Sequence, residues 1–93
     1  MDLMSKLTGV QFRCGRFALR WSVGEFSERS KVSTSTIKRI ESNDGIPRAT
    51  TANIAALKAA LEAAGIEFIG SPSDGPGIRI HRPATAAAFR SAQ

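Results

Sequence analysis

Two short segments with helical spacing follow one another in the first half of the chain, and a serine precedes each of them. Ser22 precedes residues 23–30, and Ser33 precedes residues 34–42. A serine hydroxyl accepts a hydrogen bond from a backbone N–H group that the first turn of a helix leaves unpaired, so both serines are predicted N-caps. Only Lys31 and Val32 lie between the first segment and the serine cap of the second. The sequence therefore predicts two helices joined by a sharp turn.

A further helix is predicted on each side of this pair. Thr8 is the predicted N-cap of the first helix, and Thr51 is the predicted N-cap of a fourth helix that ends at Gly65. Apolar residues recur at helical spacing in both segments and are expected to face the core. These residues are Val10, Cys14, Phe17 and Trp21 in the first helix, and Ile54, Leu57 and Leu61 in the fourth.

The periodicity changes after Gly65. Residues 66–69 and residues 78–81 alternate between apolar and polar side chains as short strands do, and a segment rich in Gly, Pro and Ser lies between them. This pattern predicts a β-hairpin. Because an isolated hairpin is marginally stable in water, we expect it to pack on the helices or to pair with another chain.

Charge restricts the class of partner. The 93 residues suffice for one small domain, and their net charge is +5. Residues 1–48 hold nine Lys or Arg residues against five acidic ones. A compact basic domain prefers a polyanion, either nucleic acid or an acidic membrane surface. Nucleic acid is favoured, because no predicted helix combines a cationic face with large apolar residues.

Other classes of function have little support in the sequence. No apolar run approaches the ~20 residues that span a bilayer, so we expect no membrane association and a cytoplasmic location. The single cysteine, Cys14, excludes an internal disulfide framework and is expected to be a small buried apolar residue. His81 is the only histidine, and no nucleophile stands beside a base. We therefore expect no metal, no cofactor and no enzymatic activity.

A set of cap, core and turn positions agrees with one known family pattern. These positions are Arg16, Phe17, Trp21, Ser22, Glu25, Phe26, Ser27, Val32, Ser33, Ile37, Ile40, Glu41 and Pro47. Over residues 8–65 the sequence thereby resembles the Cro/lambda-repressor family of helix-turn-helix proteins, also called the xenobiotic-response-element family. The resemblance implies a mainly α fold, with a four-to-five-helix lambda-repressor-like domain followed by a short C-terminal β-hairpin. The expected boundaries are a loose lead-in at 1–7, the DNA-binding domain at 8–65, the hairpin at 66–82 and a flexible tail at 83–93.

The resemblance implies a sequence-specific transcriptional regulator that binds double-stranded DNA as a homodimer, and the expected role is that of a repressor. Residues 34–42 would lie in the major groove. Small hydroxyl side chains fit close to base edges, and Arg39 follows Ser35 by one helical turn. The candidate base contacts are Thr34, Ser35 and Arg39, and the candidate phosphate contacts are Ser33, Thr36, Lys31, Lys38, Asn43 and Arg48.

The residues of the third helix also have interpretations that involve no DNA, and these stay open. The hydroxyl residues at the start of the third helix are equally typical of a simple capping segment. Lys38 and Arg39 are also typical of a solvated helix face. The family pattern pairs Arg16 with Glu41, and a structural ion pair is expected there.

Two positions depart from the family pattern. Val23 stands where the family commonly has a glutamine that contacts phosphate, which removes one expected DNA contact. Lys31 stands at the turn position that is commonly a glycine in the left-handed conformation, a geometry that lysine adopts at a modest cost.

A single helix-turn-helix reads too few base pairs to select a site, so a dimerisation surface is expected. The predicted interface consists of Leu57, Leu61, Ile66, Phe68, Ile78 and Ile80, whose side chains would meet across a two-fold axis. The alternative is that the hairpin only covers its own fourth helix. An alternative function is that of an antitoxin or anti-activator, which binds a toxin or activator protein and regulates its own promoter.

Overall fold

The computed structural model of the protein describes residues 6–81, so most of the predicted lead-in and all of the predicted tail at 83–93 lie outside the described residues. Four helices precede one two-stranded antiparallel sheet, which makes the fold mixed α/β with about half of the described residues helical. No helix in residues 6–81 is long and apolar enough to cross a membrane. The elements are α1 (Gly9–Ala18), α2 (Val23–Ser30), α3 (Thr34–Glu41), α4 (Thr51–Ala63), β1 (Ile66–Ser71) and β2 (Asp74–Ile80).

Side-chain caps define where the helices begin. The hydroxyls of Thr8, Ser22 and Ser33 each accept a hydrogen bond from the backbone N–H group three residues further on, which confirms the three predicted caps. The predicted cap of α4 is wrong by one residue. Thr50 has the extended backbone of an N-cap and its hydroxyl accepts from the N–H group of Asn53, whereas Thr51 is already helical.

The face of α1 that packs on the core is not the face that the sequence predicted. Cys14 is exposed, and the side chain of Phe17 is 62% exposed, so the prediction that these two residues face the core is wrong. The buried face instead carries Phe12, Gly15 and Leu19. Both sets of residues have helical spacing, and the absence of a Cβ at Gly15 lets Leu61 and Ile66 pack against the helix on that side.

One core joins all four helices to the hairpin. Phe12 and Phe26 are fully buried, as are the two isoleucines of α3. Among the described residues, no buried side-chain nitrogen or oxygen lacks a hydrogen-bond partner. The buried apolar residues are Leu7, Phe12, Leu19, Phe26, Val32, Ile37, Ile40, Leu57, Leu61 and Ile66.

The hairpin packs its apolar face on α1 and α4. Ile66 pairs with Ile80 and Phe68 pairs with Ile78, so the four side chains share one face as the alternation predicted. The ring of Phe68 meets that of Phe12 edge to face, with the centroids 5.6 Å apart. Both strands are longer than predicted, because the turn between Ser71 and Asp74 is tight.

These contacts change the role of the predicted interface residues. Leu57, Leu61 and Ile66 are fully buried within the single chain, so their side chains offer no surface to a second copy. Phe68 and Ile78 are partly buried against the same core. Only Ile80 keeps a large exposed fraction, 45%. Within the single chain, this face of the hairpin covers α1 and α4.

Charged residues cluster near the end of the hairpin. The Glu67 carboxylate lies 3.2 Å from the Arg79 guanidinium across the strand pair and 2.7 Å from the imidazole of His81. The hydrogen bond with His81, followed by the charge of Arg79, holds the pKa of Glu67 below its ordinary value. All three side chains are largely exposed, so this cluster contributes little to stability.

The start of α1 lies against the end of α3, and the contact requires a glycine. The N–H group of Gly9 donates to the carbonyl of Gly45 at 2.9 Å, and a Cβ at Gly9 would overlap the backbone oxygens of Ile40 and Asn43. Neither backbone oxygen can move away without disturbing the end of α3.

We predict that Gly9→Ala lowers the free energy of unfolding by about 1–3 kcal/mol, the usual cost of overpacking. Gly24→Ala is the matched control, because a Cβ there would meet nothing closer than the Ser22 hydroxyl at 3.6 Å. Alanine is the better helix former, so Gly24→Ala should raise the free energy of unfolding by up to about 1 kcal/mol. Urea unfolding of the two variants measures both values, and equal effects would contradict the close packing at Gly9.

Candidate nucleic-acid interface

The turn between α2 and α3 is built around Lys31. Its backbone is left-handed, with φ 66° and ψ 21°, and its N–H group donates to the carbonyl of Ser27 at 2.8 Å. The hydroxyl of Ser30 donates to the carbonyl of Phe26 and accepts from the N–H group of Val32. Val32 is buried, which fixes the bend and leaves the lysine side chain exposed. A left-handed conformation costs a residue with a Cβ about 1–2 kcal/mol.

The hydroxyl residues at the start of α3 fall into two groups. Ser33 and Thr36 hold the cap, because the Ser33 hydroxyl accepts from the N–H group of Thr36 at 3.2 Å and contacts its hydroxyl at 2.9 Å. Thr34 and Ser35 are exposed, and Thr34 makes no side-chain hydrogen bond within residues 6–81. The capping interpretation thus applies to the first pair, while the second pair faces outward.

The basic residues of α3 lie on the same exposed side. Lys38 and Arg39 are both exposed, and the Arg39 guanidinium donates to the carbonyl of Arg48 in the loop that follows α3. This contact steadies the guanidinium without neutralising its charge. In the same loop, the side-chain oxygen of Asn43 accepts from the N–H group of Gly45 at 2.9 Å, so the asparagine helps to fold the loop.

The inner side of α3 is anchored by charge as well as by its two buried isoleucines. Arg16 and Glu41 form two parallel hydrogen bonds of 2.8 Å each, with side chains only 11% and 7% exposed. The same guanidinium donates to the carbonyl of Trp21 at 2.9 Å and lies 4.6 Å from the centroid of the Phe17 ring. This is the structural ion pair that the family resemblance implied. It fixes the angle at which α1 holds α3.

Ion pairing within the chain engages most of the acidic side chains in residues 6–81. Five acidic side chains each have a basic partner, and in the part of the chain that the structure describes only Glu28 and Asp74 do not. The pairs are Arg13–Asp44, Arg16–Glu41, Arg29–Glu25, Lys58–Glu62 and Arg79–Glu67.

The basic side chains that remain without an acidic partner lie mainly around the turn and α3. Arg39 contacts only a backbone carbonyl, and the others make no ion pair within residues 6–81. The result is a positive surface beside the exposed hydroxyls of Thr34 and Ser35. These side chains are Lys6, Arg20, Lys31, Lys38, Arg39 and Arg48.

Several residues that organise this surface were not identified from the sequence. Gln11 completes a capping box with Thr8 and also donates to the carbonyls of Ile69 and Gly77, at 3.1 Å and 2.9 Å. The Thr-x-x-Gln spacing is a known signal for such a box, so this role was detectable. Arg13, which donates to the backbone carbonyl of Glu41, has no comparable local signal.

Comparison of the chain with family models, with curated proteins and with solved structures finds no match. The family resemblance therefore rests on the residues that carry it. The function has to be argued from the geometry and charge of the surface around α3.

We predict that Glu41→Ala lowers the free energy of unfolding by about 3–5 kcal/mol, because it leaves the buried guanidinium of Arg16 without its carboxylate. Glu25→Ala is the control, since it removes the exposed partner of Arg29. The loss there should stay below about 1 kcal/mol. Chemical denaturation of both variants checks the difference, and a small loss for Glu41→Ala would show that the pair does not hold α1 to α3.

Proposed function

We propose that the protein is a sequence-specific DNA-binding regulator of the lambda-repressor-like helix-turn-helix type, which inserts α3 into the major groove. The observation that carries this proposal is the two-sided character of α3. Its inner side is anchored by Ile37, Ile40 and Glu41, while its outer side presents hydroxyls and cations without acidic partners. A major groove about 12 Å wide admits an α-helix, and small polar side chains at the front of the helix can reach base edges.

In this proposal the base contacts are made by Thr34, Ser35 and Arg39. The threonine offers a methyl group to thymine as well as a hydroxyl, and a guanidinium suits the two acceptors of guanine. Arg39 would exchange its contact with the carbonyl of Arg48 for the base.

Phosphate contact is assigned first to Lys31, Lys38 and Arg48, whose exposed side chains have no acidic partner within residues 6–81. Phosphate contacts position the protein on DNA and carry most of the salt dependence. Ser33, Thr36 and Asn43 hold the backbone at the two ends of α3, and contact of these three with phosphate stays a prediction.

The regulator is proposed to act as a homodimer and to repress by occupying a promoter. Two copies read two half-sites, which supplies the base pairs that one α3 cannot. Of the six residues predicted at the interface, Ile80 has the most exposed side chain. We assign it to the dimer surface.

The exposed apolar side chains favour a second candidate function. Phe17 is 62% exposed, Ile46 is 49% exposed and Ile80 is 45% exposed, and a protein partner would remove such apolar side chains from water. An antitoxin or anti-activator would use such a surface for its protein partner and α3 for its own promoter. Co-purification of a stoichiometric protein partner that blocks DNA binding would favour this candidate over a simple repressor.

We predict that Arg39→Ala and Lys38→Ala weaken DNA binding in different ways. Arg39→Ala should cost about 1–3 kcal/mol on a duplex that the wild-type protein selects from a random library, and should relax base preference at one position per half-site. Lys38→Ala should weaken binding to selected and scrambled duplexes alike. Titrations of both variants on both duplexes measure the difference, with Lys58→Ala on α4 as the control.

The salt dependence tests the same surface. If a dimer neutralises about six phosphates, the slope of log affinity against log salt concentration should be near −5. Lys38→Ala should reduce the magnitude of that slope by about 1.8, the value for one phosphate in each half-site. Affinity of the wild-type protein that does not depend on salt would rule out the proposed function.

We predict that Ile80→Glu weakens the homodimer by about tenfold or more, because it places two like charges across the two-fold axis. Ile80 is exposed, so the fold should persist. Ala59→Glu is the matched control, because it adds the same charge at an exposed position of α4. Sedimentation at several concentrations measures the dissociation constant, and identical values for the two variants would remove Ile80 from the interface.

A further inference from the structure

Arg20 occupies a backbone position that suits glycine. The N–H group of Arg20 donates to the carbonyl of Phe17 at 3.0 Å, and that of Trp21 donates to the carbonyl of Arg16 at 3.1 Å. These two hydrogen bonds close α1 in the pattern that requires a left-handed residue after the helix, and Arg20 has φ 61°. Glycine adopts this conformation without a steric cost, whereas arginine does not.

No side-chain contact of Arg20 within residues 6–81 offsets this cost. It is exposed and makes no hydrogen bond, ion pair or ring contact within residues 6–81. The other arginines of this region are all engaged. Arg13 contacts Asp44, Arg16 contacts Glu41, and Arg29 contacts both Glu25 and the ring of Trp21.

Lys31 repeats the arrangement of Arg20 one helix later. Both are left-handed, both are exposed, and these two are the only non-glycine residues of the described chain with a positive φ. Each stands two residues before a serine cap, in Arg20-Trp21-Ser22 and in Lys31-Val32-Ser33. The middle residue of each triplet packs against the core and holds the bend, so the cation projects outward.

Arg20 and Lys31 thus lie at the two bends that flank α2. At both positions the left-handed backbone would suit a glycine better. Lys31 is already assigned to phosphate in the proposed function. Arg20 stands at the equivalent position of the other bend, is charged and has no side-chain partner within residues 6–81. These three features are explained together if Arg20 has the same kind of ligand outside the chain. DNA phosphate is a ligand that matches an exposed guanidinium at such a bend.

We propose that Arg20 is a further DNA-phosphate contact, placed at the bend before α2 as Lys31 is placed at the bend before α3. This inference rests on the proposed function. Because Arg20 lies outside α3, its contact is independent of base sequence. It positions the protein on the backbone and supplies a contact in the region where Val23 replaces the glutamine that the family pattern would offer.

The alternative is that Arg20 only stabilises the end of α1, since a cation near a helix C-terminus interacts favourably with the helix dipole. The two explanations differ in what Arg20→Gly does. As a phosphate ligand in a strained conformation, Arg20 should lower DNA affinity when it is replaced by glycine, while the fold becomes more stable. As a purely structural residue, it should leave DNA affinity unchanged.

The experiment compares Arg20→Gly, Arg20→Ala and Arg20→Lys in the full chain. The probes are a duplex selected by the wild-type protein from a random library and a scrambled duplex of the same length. Melting temperature is measured without DNA, and affinity is measured as a function of salt concentration. Arg79→Gln is the control for loss of a positive charge, because Arg79 is exposed on the hairpin and paired with Glu67.

We expect Arg20→Gly to raise the melting temperature by about 4–8 °C. It should weaken binding to both duplexes by about tenfold and reduce the magnitude of the salt slope by about 1.8, the value for one phosphate per half-site of a dimer. Arg20→Ala should lose the same affinity without the gain in melting temperature, because alanine keeps the strained backbone. Arg20→Lys should keep most of the salt slope.

Two results would overturn the inference in distinguishable ways. Wild-type affinity and salt slope in Arg20→Gly and Arg20→Ala, alongside a loss in Lys38→Ala, would leave the proposed function in place and remove Arg20 from the DNA contacts. Absence of salt-dependent binding by the wild-type protein would overturn the proposed function, and this inference with it.

Discussion

The buried ion pair between Arg16 and Glu41 is the contact on which the arrangement of the helices depends. Its two hydrogen bonds join the end of α1 to the end of α3, and a third bond from the same guanidinium reaches the carbonyl of Trp21. Either charge alone would be costly in this core, so the two side chains have to meet when α1 and α3 pack as they do. The direction in which the outer face of α3 points is therefore set by a contact on its inner face. Gly9 allows the two helices to approach closely at the other end of α1.

Gln11 attaches the hairpin to α1, as the ion pair attaches α3 to α1. Its side chain closes the cap of α1 on one side and donates to a carbonyl of each strand on the other. With Ile66 buried and Phe68 against Phe12, the hairpin belongs to the core of the single chain. A hairpin of two strands is marginal by itself, and here the helices supply the apolar surface that it needs. What remains for a second copy is the exposed end of β2 around Ile80.

The ion pairs within the chain also determine which positive side chains are free to bind a polyanion. The net charge of +5 is not spread evenly, because ion pairs on α1, α2, α4 and the hairpin use most of the acidic side chains. Within residues 6–81, the basic residues without an acidic partner lie mostly at the two bends that flank α2 and on the outer side of α3. Two of these residues, Arg20 and Lys31, stand in left-handed conformations that favour glycine. Strain and unpaired charge thus coincide on the surface proposed to meet DNA.

Local features were readable from the sequence because they depend on residues close together in the chain. The caps at Ser22 and Ser33, the turn at Lys31 and the alternation that builds the hairpin all involve neighbours within a few residues. The side of α1 that faces the core was not readable, since Cys14 and Phe17 have the same helical spacing as the buried residues. Only tertiary structure separates the two faces: Arg16 has to reach Glu41, and the missing Cβ of Gly15 admits Leu61 and Ile66. Glu41, Leu61 and Ile66 lie far from α1 along the chain, so no local sequence pattern indicates which face of α1 is buried.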